Sequence, residues 1–92
     1  MEAKRNDKNA QITRSALTER FVEVYFDLYK ARSVANMTDF CERIGLNPSN
    51  FAQMRKGRLD CSLMNICSMI EVYNVSPNWL FKNSGDMYQC RQ

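Results

Sequence analysis

The chain has 92 residues, enough for one domain that buries roughly 60–65% of its unfolded surface, a modest core without room for a deep catalytic cavity. Hydrophobic residues at 45%, charged residues at 25% and a net charge of +3 are ordinary globular values, far from the disordered or fibrous classes. Histidine is absent, which removes the usual general base and the commonest metal ligand together. With no glycine-rich loop and no clustered carboxylates either, the composition argues against an enzyme and calls for no cofactor and no metal.

The opening stretch, MEAKRNDKNAQITR, is polar and lacks the apolar segment of a secretion signal. No later apolar run approaches the roughly 18 residues of a membrane span, so a cytoplasmic protein with no membrane partner is expected. Residues 1–14 read as a flexible basic arm, with Lys4, Arg5, Lys8 and Arg14 set against two acids. Residues 15–86 read as the folded domain and 87–92 as a short loose tail.

Within the domain the 3.6-residue apolar period recurs and no alternating run is long enough for a strand, so the fold class is all-α with five helices. Ser15 can cap a first helix reaching about Arg32, with Leu17, Phe21, Val24, Tyr25 and Leu28 on one stripe and Val22, Phe26 and Tyr29 beside it. So wide a stripe suits either a central helix buried on most sides or one that pairs with a second copy of the chain. Asn36 can cap a second helix with Met37, Phe40, Cys41 and Ile44 inward, ending before Gly45. Asn47 caps a third, with Pro48 at its first position, Phe51 and Met54 inward, and Gly57 as its stop. Ser62 starts a fourth carrying Leu63, Ile66, Cys67, Ile70 and Tyr73, and Ser76 with Pro77 opens a short fifth that takes Trp79 and Leu80 into the core before Gly85. The four cysteines, at 41, 61, 67 and 90, form no CxxC pair and read as reduced, buried thiols.

The stretch FCERIGLNPSNFAQMRKG joins the second and third helices too tightly for the chain to wander. Two helices joined by a short turn containing glycine form the helix-turn-helix unit, in which the first braces the second against DNA. Cys41, four residues before the glycine, is small enough for close approach, Gly45 can take the positive φ of the turn, and Phe40, Ile44, Leu46, Phe51 and Met54 fall where side chains point inward. Over roughly residues 18 to 86, this stretch together with SLMNICSMIEVYNV and VSPNWLFKNSG resembles the Cro and phage-repressor family, the lambda-repressor-like or XRE-type domain.

The resemblance implies a transcriptional regulator, most simply a repressor, that binds a near-palindromic double-stranded operator as a homodimer. It implies base reading by the start of the third helix, at Pro48, Ser49 and Gln53, with Asn47 and Asn50 alongside. Gln53 can bond an adenine bidentately, whereas Pro48 departs from the family pattern and offers only ring carbons to a thymine methyl. Backbone phosphates would fall to Lys56 and Arg58, to Asn47 and Asn36 at the helix starts, and to Arg55 unless it pairs with Glu42. The alternative is an antitoxin-like module, since the same fold also neutralises a partner toxin and binds its own promoter.

Overall fold

Why the chain turns where it does is largely a matter of its caps. A computed structural model describes residues 13–89, and among them lie five helices, α1 (Arg14–Lys30), α2 (Met37–Ile44), α3 (Pro48–Arg55), α4 (Leu63–Tyr73) and α5 (Pro77–Lys82), with no strand. The all-α reading therefore holds. Asn36 accepts from the Asp39 amide, Asn47 from those of Ser49 and Asn50, Ser62 from that of Asn65 and Ser76 from that of Trp79. Each such bond satisfies a donor that the helix itself leaves orphaned. Pro48 and Pro77 occupy first-turn positions, where a missing amide hydrogen costs nothing.

The helix starts agree with the sequence reading except at α1. Thr13, not Ser15, accepts from the Ala16 amide at 3.1 Å, and Arg14 is the first helical residue. Two nearby hydroxyl residues offer the same cap, and the earlier one brings Arg14 to the loop before α4, where its Nη2 donates to the Cys61 carbonyl at 2.7 Å. The expected basic arm thus ends two residues sooner, and residues 1–12 lie outside the described region. At its other end α1 stops at Lys30 rather than Arg32, and Arg32 takes φ +64° while the Ser33 amide returns to the Leu28 carbonyl at 2.9 Å.

The core is built on aromatic rings where α1, α2 and α3 meet. Phe21, Phe40 and Phe51 are fully buried with ring centroids 5.1–6.0 Å apart, and Tyr25 stands 5.3 Å from both Phe40 and Phe51. Most of these pairs are edge-to-face, an arrangement that adds about 0.5–1.5 kcal/mol each beyond area burial. Tyr73 of α4 stacks on Phe40 at 5.4 Å and donates its hydroxyl to the Phe40 carbonyl at 3.3 Å, so the fourth helix is pinned to the second. Trp79 and Leu80 bring α5 into the same core, and Arg20 of α1 donates to both of their carbonyls. One polar side chain is buried with them: Thr18 donates to the Arg14 carbonyl and accepts from the Cys61 amide at 2.9 Å.

Two expectations are corrected. On α4 the buried positions are Ile66 and Met69, flanked by half-buried Ile70 and Tyr73, while Leu63 and Cys67 face outward. Apolar residues lie all round this helix, so the pattern does not choose a side; the cap at Ser62 and the Tyr73 anchor do. The tail, read as loose from residue 87, instead folds back as far as Gln89. Tyr88 bridges Val75, the Ser76 amide donates to the Met87 carbonyl at 2.8 Å, the Gln89 amide to that of Asn74 at 2.9 Å, and the Tyr88 hydroxyl to an Asp27 carboxylate oxygen at 2.7 Å.

Burial also fixes proton affinities. It pushes the Cys41 thiol up to about 11 and the Tyr73 phenol up to about 12, and it raises Cys61 and Tyr88 in the same direction. A group whose folded value is raised contributes stability that is complete below its unfolded value and is lost as pH climbs towards the folded one. Stability should therefore fall from about pH 9 upward, where an unfolded Cys41 would ionise. Urea midpoints that stay constant from pH 8 to pH 10.5 would contradict this burial of thiol and phenols. In the same spirit, Cys67 should alkylate well before Cys41 and Cys61 when the folded protein is followed by peptide mass mapping.

Candidate nucleic-acid interface

The aim of α3 is set at its start. Gly45 ends α2 with φ +69°, and the Leu46 amide then reaches back to the Cys41 carbonyl at 2.9 Å, the closing bond of a Schellman turn. Leu46 is buried, so the turn is fixed by packing as well as by hydrogen bonding. Three residues, 45–47, separate the two helices, and α3 rests on the aromatic core through Phe51 and Met54. At the far end Gly57 takes φ +79°, and the Lys56 and Arg58 amides both bond the Gln53 carbonyl.

With its inner face so committed, α3 presents an outer face of Ser49 and Asn50, both exposed, with Gln53 half-buried and Pro48 half-buried at the first turn. No acid occurs between residues 43 and 59 of this unit's turn, helix and following loop, and Arg55, Lys56 and Arg58 are exposed. Such a surface is neutral, polar and amide-bearing at its start, and cationic at its end. Asn47 uses its side-chain oxygen as the cap at 2.7 Å and 3.3 Å, so its amide nitrogen is what it can give to an outside acceptor. Asn36 is in the same situation, capping the Asp39 amide at 2.9 Å. Comparison with protein-family models, curated proteins and solved structures finds no match.

Arg55 does not make the pair with Glu42 that the sequence allows. Among the described residues no ion pair joins it to Glu42; the nearby pair is Arg43 with Asp39, at 3.1 Å. That guanidinium and the Ala35 amide together hold the Asp39 carboxyl below its usual range, the amide being the larger cause. Arg55 instead lies over aromatic rings of α1, 5.1 Å from the Phe26 centroid and 5.8 Å from that of Tyr25, with Nη1 3.6 Å from the Met37 sulfur. From sequence, Phe26 reads only as packing or partner surface. The signal available is a cation on a helix with no acid at helical spacing, facing a stripe too wide for the core.

At one end of the helix pair the structure brings Arg55 together with Met37 and the α1 aromatics, and no contact joins Asn36 to Arg55 among the described residues. At the other end of the same helix pair stand Asn47, Pro48 and Ser49. No three of Cys, Asp and Glu among the described residues are grouped as a metal site, and no helix among them is long and apolar enough to cross a membrane.

Proposed function

We propose that the chain is a sequence-specific, double-stranded-DNA-binding regulator of the Cro and phage-repressor type, with α2 and α3 as its helix-turn-helix. The observation that carries this reading is the outer face of α3: Ser49, Asn50 and Gln53, side chains able to donate and accept at base edges, on a short helix fixed at both ends and flanked by Arg55, Lys56 and Arg58. A major groove about 12 Å wide admits such a helix, and base contacts then specify while cations hold the phosphates. The simplest mechanism is a repressor that occludes polymerase.

Selection of bound duplexes from a random pool tests the reading. Enrichment of a near-palindrome with half-sites one helical turn apart is the expected result, because a two-fold protein presents two such helices about 34 Å apart. Recovery of no preferred sequence would remove the DNA reading. On the selected site, Gln53→Ala should weaken binding by about 1–3 kcal/mol while random duplex is bound nearly as before. Lys56→Ala or Arg58→Ala should weaken both and lower the salt slope by roughly 0.9 for each phosphate that is no longer neutralised. Equal losses on both duplexes for Gln53→Ala would mean that it reads no base.

A protein partner is favoured by one further observation. Leu63 and Met64 at the start of α4 are 72% and 74% exposed, beside an apolar groove lined by Leu17, Ile66 and Phe81. A second copy of the chain is the occupant that the operator's symmetry calls for, and a toxin is the other. Sedimentation of protein with operator separates them, since two chains per duplex are required by the first.

A further inference from the structure

We propose that Phe26 is a positioning residue for DNA: with Tyr25 it holds the Arg55 guanidinium at the corner of the interface, where the cation engages a backbone phosphate. The inference rests on the DNA-binding reading and adds to it a residue that touches no DNA itself. Phe26 is 42% exposed and shares the Arg55 guanidinium with Tyr25. Tyr25 is itself fixed, since it is buried, packed 5.0 Å from Phe26 and set against Phe40 and Phe51. The platform is therefore tied to the core that carries α2 and α3.

An arginine on an exposed helix end loses side-chain freedom when it binds a phosphate, and that loss weakens the contact. Stacking on an aromatic face removes much of the freedom beforehand. It also leaves the edge of the planar guanidinium, with its N–H donors, for oxygen acceptors, which a carboxylate partner would not. Here no acid pairs with Arg55 among the described residues, and its nearest polar contact is the weak acceptor sulfur of Met37, next to Asn36.

The test is a double-mutant cycle read on random-sequence duplex. Phe26→Leu keeps apolar bulk and removes the ring face, and should lower affinity about two- to fivefold, as expected for an exposed cation–π pair. Phe26→Tyr should restore it. Once Arg55→Gln is present, Phe26→Leu should cost nothing further, and the salt slope should fall for Phe26→Leu towards that of Arg55→Gln. Thermal midpoints taken alongside keep a folding defect from passing as a binding one. If Phe26→Leu binds like wild type while Arg55→Gln loses affinity, or if the two losses add, the positioning role is wrong although DNA binding stands. If wild type binds no duplex at all, both the role and the reading beneath it fall.

Discussion

Phe51→Ala should cost about 3–5 kcal/mol, the largest effect expected of any single substitution on α3. The ring is fully buried and meets Phe21, Tyr25 and Phe40 at 5.1–6.0 Å, so its loss removes transfer energy and leaves a cavity that three rigid neighbours cannot fill. A domain of this size is stable by about 5–15 kcal/mol in all, so the variant stands near the edge of folding. Its thermal midpoint should drop by at least about 12 °C, taking about 4 °C per kcal/mol as the lower bound. Phe51→Leu should recover part of the loss. A midpoint within a few degrees of wild type for Phe51→Ala would mean that α3 is not seated as described.

Gly45→Val comes second and acts through a different cause. A Cβ built on Gly45 meets no atom within 4 Å, so there is space for a side chain; the obstacle is φ +69°. A β-branched residue held there is strained by roughly 1–3 kcal/mol. Two results are expected together: a lower urea midpoint, and weaker binding to the selected duplex when α2 and α3 relax to a different angle. Because the cost is conformational and not steric, Gly45→Asn should lose least, Gly45→Ala more and Gly45→Val most. A series ranked by side-chain volume, with Asn as damaging as Val, would point to a clash and so contradict the open space at this turn.

The caps are legible from sequence because each is a local device. Asn36, Asn47 with Pro48, Ser62, and Ser76 with Pro77 announce a helix start through short-range hydrogen bonding, and all four stand where the sequence places them. Inward positions are legible wherever a helix has one apolar side, as with Phe40, Cys41 and Ile44 on α2. They are not legible on α4, where Leu63, Met64, Ile66, Cys67, Met69, Ile70 and Val72 surround the axis and tertiary anchors decide the outcome. The ending of α1 is hidden for another reason: Arg32 takes a left-handed conformation that no glycine announces. Long-range pairings such as Tyr88 with Asp27, or Arg14 with Cys61, leave no periodic trace at all. At the candidate interface, Ser49, Asn50 and Gln53 are legible as polar residues where charge would be ordinary, but Phe26 is not, since an apolar residue beside a wide stripe looks like core.

The fold-back of residues 87–89 has a consequence for synthesis. Chains emerge from the ribosome amino end first, and domains tend to fold as units during that process. The rings of Phe21, Phe40 and Phe51 are all present once α3 has emerged, but Tyr73, which pins the fourth helix to the second, comes later. The opposite flank of α1 must wait, because Arg20 needs carbonyls at 79 and 80, and Asp27 needs Tyr88, 61 residues downstream. A domain that folds as a unit therefore completes its contacts only when nearly all of its described residues are out, the Tyr88 bond to α1 among the last to form.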